Sequence, residues 1–165
     1  MWTIIKLDKK YKKILKIELN LRLGGHTKIY SPKLHVEKYF KNKLVMKEFD
    51  LLGDYMFCYN PKFQNPNILK SLKFTKGLKY FLSGHQGSQK EIKSFIEKCK
   101  QFENSNGYLT QGFFKLCKQA NYKFNSGPFV EKIFRIIDLQ KNKIDILLGN
   151  IKTTINKKKF LFSPV

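Results

Sequence analysis

The chain has 165 residues, enough for one domain of average size or two small ones. An aromatic fraction of 15% and a hydrophobic fraction of 42% supply real cores and exclude wholesale disorder. A formal net charge of +21 points to polyanionic partners, namely nucleic acid, ribosome or anionic membrane surface. Arg22 and Arg135 are the only arginines among 33 basic residues. Such lysine usage also fits an AT-rich genome, and lysine suits phosphate attraction better than base reading. Cys58, Cys99 and Cys117 are odd in number and widely spaced, and His26, His35 and His85 form no ligand cluster with them. The expectation is reduced thiols, no metal and no cofactor. No apolar run reaches membrane-span length and Met1–Ile5 lacks a signal-peptide layout, so a soluble cytoplasmic protein without membrane contact is expected.

In chain order, Trp2 to Leu7 reads as a strand and Asp8 as an N-cap. From Lys9 to Leu21, residues Tyr11, Ile14, Leu15, Glu18 and Leu21 fall at helical spacing, with lysines on the other face. Gly24-Gly25 ends that helix. Ile29 and Tyr30 start a strand closed by Pro32. His35 to Phe40 and Leu44 to Met46 flank Lys41-Asn42-Lys43, a hairpin pattern. Tyr55 to Tyr59 is a strand introduced by Leu51-Leu52-Gly53-Asp54. Pro66 to Leu72 reads as a short helix with proline in its first turn. Leu78 to Leu82 is a strand after Gly77. Ser88 to Gln101 is an amphipathic helix with Ile92, Phe95, Ile96 and Cys99 on one face, Ser88 as N-cap and Glu91 completing a capping box.

Intermixed strands and helices with hairpins predict an α+β sandwich rather than a doubly wound sheet. Residues 102–107 carry turn chemistry and mark a linker, with a helix expected over Thr110 to Ala120. The tail from Asn121 is β-rich: Phe129 to Leu139, Lys143 to Leu148 and Ile151 to Ile155 read as three strands in a small barrel. The expected division is 1–101, a linker over 102–120, and 121–165.

Several ordered stretches resemble the NusG family of transcription elongation factors, which includes the specialised paralog RfaH. Trp2 stands where the family has an aromatic opening its first strand, and Ile29-Tyr30-Ser31-Pro32 where a strand ends in proline. Leu51-Leu52-Gly53-Asp54-Tyr55-Met56-Phe57-Cys58 is similar to a Leu-Phe-Pro-Gly-Tyr-x-Phe-Val strand, lacking its proline. Thr75-Lys76-Gly77-Leu78-Lys79-Tyr80-Phe81 is similar to a Thr-Arg/Pro-Gly-Val-x-x-Phe segment. Ser126-Gly127-Pro128-Phe129 through Ile133 resembles the KOW stretch, with Lys132 close to where the second KOW glycine would fall. The departures fit a divergent or specialised member, from a phage or mobile region, better than the housekeeping factor.

The resemblance implies an N-terminal NGN-like α+β domain with an antiparallel sheet, a C-terminal KOW β-barrel, and a monomeric, non-catalytic elongation or antitermination factor. It implies that Tyr55, Phe57 and Phe81 dock on the clamp helices of the largest RNA polymerase subunit. Alternation puts Tyr55, Phe57 and Tyr59 on one strand face and Met56 and Cys58 on the other, so the first set is interface or core. It implies that Lys9, Lys12, Lys13 and Lys16, with Thr75 and Lys76, meet the non-template DNA strand; the plain alternative is a solvated helix face. It implies that Gly127, Pro128 and Phe129 present a ring to a small-subunit ribosomal protein or termination factor, the alternative being a plug at one barrel end. The acidic residues suggest no acid–base pair, and Ser83–Gly87 matches no phosphate-binding fingerprint. The runner-up is a KOW-containing RNA- or ribosome-binding module.

Overall fold

A computed structural model describes all residues, 1–165. It contains antiparallel sheets and three α-helices, and its chain groups into two compact units. The first comprises Met1–Pro32 and Asp50–Lys98, the second Lys33–Phe49 and Cys99–Val165. The hairpin, expected within 1–101, thus groups with the C-terminal segment. No helix is long and apolar enough to cross a membrane.

In the first unit, β1 (Trp2–Leu7) leads through a 3-10 turn, Lys9–Tyr11, into α1 (Lys12–Leu23). The Asp8 carboxylate accepts from the Lys10 N–H at 3.0 Å and caps that turn. The helix ends at Gly24, φ +84°, beyond the residue where the sequence placed its last apolar position. Because it runs on to Leu23, its buried stripe is Leu15, Leu19 and Leu23 at i, i+4, i+8. Ile14, Ile17 and Leu21 are exposed, so the expected apolar face is corrected. After β2 (Lys28–Tyr30) and the excursion of β3 (Lys33–Phe40) and β4 (Lys43–Asp50) come β5 (Tyr55–Tyr59), α2 (Pro66–Ser71), β6 (Leu78–Phe81) and α3 (Gln89–Gln101). Asn65 caps α2 through the Asn67 N–H, with Pro66 in its first turn.

The four strands form an antiparallel sheet in the order β2-β5-β1-β6. Its two faces have different fillings, as period-2 alternation requires. Ile5, Leu7, Met56 and Cys58 point to the α1 side and are fully sealed with Leu15, Leu19, Phe63 and Leu72. Phe57 points the other way and packs on Ile92 and Ile96 of α3, with Trp2, Ile4, Tyr30 and Phe95 around them. The Gln89 side chain clasps the start of α3 to β1: its Oε1 accepts from the Trp2 N–H at 2.9 Å, and its Nε2 donates to the Trp2 and His85 carbonyls.

The second unit holds β7 (Asn121–Phe124), β8 (Ile133–Leu139), β9 (Lys143–Leu148), β10 (Ile151–Asn156) and β11 (Phe162–Pro164), an antiparallel sheet in the order β10-β9-β8-β7-β11. Five strands stand where three were expected. Residues 129–131 are turn rather than the start of β8; Glu131 takes a left-handed φ of +68° while its N–H donates to the Phe124 carbonyl at 2.8 Å, so regular strand geometry begins only at Ile133. The helix expected over Thr110–Ala120 is only a 3-10 turn, Gln111–Phe113. Gly112 lies inside it, and Phe113 packs edge-on against Phe102 and Phe114. The core is aromatic: Tyr122, Phe124, Phe134 and Phe162 join Ile136, Ile144 and Ile146, with Phe124 and Phe134 centroids 4.4 Å apart. The two strands β3 and β4 form a ribbon whose turn residues Lys41 and Asn42 both have positive φ, 48° and 60°, as in a two-residue primed turn.

Candidate functional site

Helix α3 covers only part of its sheet face. The uncovered part is a groove of about 500 Å³ lined by Ile4, Leu52, Tyr55, Phe57, Leu82, Ile92 and Phe95, with Ser88 and Glu91 at its rim. Its walls are apolar and come from β1, β5 and α3 together with Leu52 in the turn before β5 and Leu82 just after β6. Phe57 forms the floor and is 4% exposed, held between Tyr30 and Phe95 at centroid distances of 6.3 and 5.8 Å. For this residue core and groove are the same place: it packs on Ile92 and Ile96 and also lines the groove. Tyr55 is a half-buried wall.

A polar cluster sits beside Tyr55. Its hydroxyl lies 3.2 Å from that of Tyr80, and the Lys6 ammonium lies over both rings, 5.1 Å from the Tyr55 centroid and 5.8 Å from that of Tyr80. The hydrogen bond from Tyr80, and then Lys6, pulls the Tyr55 phenol below its ordinary pKa, while the same hydrogen bond pushes Tyr80 up. Lys6 is raised by its partnership with Tyr55. The groove therefore has an apolar length and one end where a cation is matched to a phenol pair. Sequence reading missed Leu52, Leu82, Phe95 and Lys6 as partners of Tyr55, because they come from four separate segments.

Phe81 does not join this set. It pairs with Ile5 in register and shares the α1-side face, its ring 6.0 Å from that of Phe63. It directly follows Tyr80 in β6, Tyr80 pairing with Lys6 and Phe81 with Ile5, so strand alternation alone puts the two rings on opposite faces.

The lysine edge divides. Lys12 donates to both carboxylate oxygens of Asp50 at 2.7 Å, and Lys9 lies 3.3 Å from Asp54. Lys13 is exposed and Lys16 half-buried. Lys76 is exposed with its ammonium 4.9 Å from the Tyr11 ring centroid. Thr75 is 2% exposed, so its side chain faces the interior and presents nothing to a nucleic acid. Gly77 explains why the turn is built this way. Its φ is +86°, and a Cβ there would sit 2.7 Å from the Tyr11 Cβ.

In the second unit, Gly127 (φ +84°) opens the loop before β8. A Cβ at Gly127 would lie 2.4 Å from the Phe160 ring, and its N–H donates to the Glu37 carboxylate of β3. Pro128 is exposed. Phe129 is 38% exposed and leans on Phe124 at 5.7 Å, so the ring is both partly packed and partly presented. A second left-handed residue of this loop is Glu131, one before Lys132, the position near which the family pattern carries its second glycine.

His, Cys, Asp and Glu side chains gather nowhere in a group of three or more suited to a metal ion. Cys58 and Cys99 are buried and Cys117 is exposed, all three as free thiols. Burial pushes the Cys58 thiol up to about 12.

No protein-family model matches the chain, and no curated protein does. Among solved structures, the MjSpt4:Spt5 complex in conformation B matches at 12% identity over 100% of this chain and 98% of that chain, with a TM-score of 0.32. The Thermotoga maritima NusG structure that describes its domain interaction matches at 11% identity over 99% of this chain and 96% of that chain, with a TM-score of 0.39.

Proposed function

We propose that the chain is a NusG/RfaH-like transcription elongation or antitermination factor that acts by binding, not by catalysis. The observation that carries this reading is the apolar groove between α3 and the sheet, with Tyr55 and Phe57 in its wall and floor. Those are the two positions that the sequence resemblance assigns to the polymerase clamp helices. An apolar groove of about 500 Å³ suits the apolar stripe of an amphipathic helix. Docking there would hold the closed state of the polymerase clamp. A factor that binds one state better shifts the equilibrium toward it, and here that suppresses pausing.

In the same reading, 1–101 carries the polymerase-binding surface, 102–120 is connecting chain and 121–165 is a KOW-like barrel. The barrel recruits a second partner through Gly127, Pro128 and Phe129, a small-subunit ribosomal protein or a termination factor. In the DNA-facing set Lys13 and Lys76 are exposed and Lys16 is half-buried, while Lys9 and Lys12 act mainly within ion pairs.

The test is co-purification of the full-length chain with RNA polymerase core enzyme. Phe57 is too deeply packed to be a clean probe, since emptying such a site costs about 3–5 kcal/mol. Tyr55→Ala combined with Leu82→Ser opens the groove wall at half-buried and exposed positions. That variant should remain folded and lose polymerase. Retained polymerase binding would remove the groove from the account. Ribosome capture without polymerase would support the KOW-containing RNA- or ribosome-binding module instead.

A further inference from the structure

The β3–β4 ribbon carries a surface that the groove does not explain. Its root is fixed in the second unit: Leu34 and Val36 are buried, and the Glu37 N–H donates to the Asn125 carbonyl at 2.8 Å. The two acidic residues that flank its outer half are both engaged at the root. Glu37 accepts from the Gly127 N–H, and Glu48 accepts from Lys33 at 2.7 Å and from the Tyr108 hydroxyl at 3.0 Å. Between them, residues 38–47 contain Lys38, Lys41, Lys43 and Lys47 and no acid at all. Tyr39 and Phe40, consecutive in β3 and so on opposite faces of the ribbon, are 57% and 54% exposed. The Lys41 and Lys47 ammonium groups lie 5.6 and 5.3 Å from the Phe40 ring centroid, so charge and ring are presented together.

We propose that the outer half of this ribbon binds single-stranded nucleic acid, with Tyr39 and Phe40 stacking on bases and the four lysines on the flanking phosphates. The argument is charge and shape complementarity. Lysines spaced along a narrow ribbon match a phosphate backbone, and exposed rings between them match unstacked base faces. A duplex hides those faces, so it offers the phosphates but leaves the rings in water. The ribbon has no arginine, the residue of bidentate base-edge readout, so the binding is sequence-tolerant. The left-handed Lys41-Asn42 turn keeps the ribbon tight to its tip and sets Lys41 at the end. This surface is separate from the groove and does not depend on what the groove binds.

The experiment is fluorescence anisotropy of the full-length chain with a labelled 15-nucleotide oligothymidylate, the matching oligouridylate, and a 15-base-pair duplex. The single strands should bind more tightly than the duplex. The logarithm of affinity against the logarithm of salt should have a slope near −3, about −0.7 per lysine contact. Tyr39→Ala with Phe40→Ala should weaken single-strand binding by about tenfold or more and leave the salt slope in place. Tyr39→Phe with Phe40→Tyr should restore it. Lys38→Gln with Lys43→Gln should flatten the slope by about 1.4. Unchanged affinity in a folded alanine variant would overturn the proposal, as would tighter binding to the duplex. Loss of polymerase co-purification in the alanine variant, without any oligonucleotide binding by the wild type, would make the ribbon a protein contact and also overturn it.

Discussion

The two faces of the four-stranded sheet use the same strands to opposite ends. On the α1 side, Ile5, Met56, Cys58, Leu15 and Leu19 are all 0% exposed, and the face is closed. On the α3 side, one helix covers Phe57 with Ile92 and Ile96 and then runs out, and an apolar groove of about 500 Å³ remains beside it. A closed face contributes stability and has nothing left to offer a partner. A half-covered face contributes less to stability and keeps apolar area that a partner helix can bury. Neighbouring residues of one strand, Met56 and Phe57, thus stand on a closed face and on a groove-bearing one.

The largest effect should come from the closed face. Leu15→Ala should cost about 2–5 kcal/mol in denaturant unfolding, because the removed side chain leaves a cavity in a fully packed layer. A cost as small as that of an exposed-face change such as Ile17→Ala would break the contrast between the faces. Next comes the turn that brings β6 to the sheet edge. Gly77→Ala meets Tyr11 at 2.7 Å and also forces a side chain into a left-handed φ. It should lower stability by about 1–3 kcal/mol, read as a shift of the thermal midpoint. Gly53→Ala is the control, since Gly53 shares the positive φ but has open space around it.

A smaller, pH-dependent effect also belongs to the closed face. Burial raises the folded-state pKa of Cys58 from 9.0 to about 12, so the folded protein holds a proton that the unfolded chain releases. Its contribution is constant below about pH 8.5 and is lost as pH rises through the window from 9 to 12. Unfolding followed from pH 8 to 11 should show this fall, reduced in Cys58→Ala. Thiol labelling at pH 8 should modify Cys117 at once, with Cys58 and Cys99 reacting only after unfolding. The smallest expected change is at the groove's polar end. Tyr80→Phe should move the Tyr55 titration back toward the ordinary tyrosine range, seen as tyrosinate absorbance, because Tyr80 is the first cause of its depression.

Where alternation or helical spacing was strong, the sequence was legible. Trp2–Leu7, Tyr55–Tyr59 and Lys143–Leu148 have the bounds expected of them, and α3 begins just after Ser88. The short strands β7 and β11 carry too few residues for a period to show. The stripe on α1 was misread because Ile14 and Leu21 fit helical spacing as well as Leu15, Leu19 and Leu23 do; only the sheet decides which side is inside. The partition of Tyr55 and Phe57 from Met56 and Cys58 followed from alternation alone. The resemblance grouped Phe81 with Tyr55 and Phe57, but alternation with Tyr80 across β1 puts it on the α1-side face, and which strand β6 pairs with is not written in the sequence. Charge was the least legible property. Lysines of the first helix and of the ribbon look alike in the chain, yet Lys9 and Lys12 meet Asp54 and Asp50, while residues 38–47 hold no acid.

The most direct measurement of the central claim is the affinity of purified polymerase core enzyme for the full-length chain and for the Tyr55→Ala, Leu82→Ser variant, with unfolding curves for both. The account predicts a tight wild-type complex and at least a tenfold loss in a variant whose stability changes by no more than about 1 kcal/mol. Equal affinity of the two folded proteins for polymerase would contradict it.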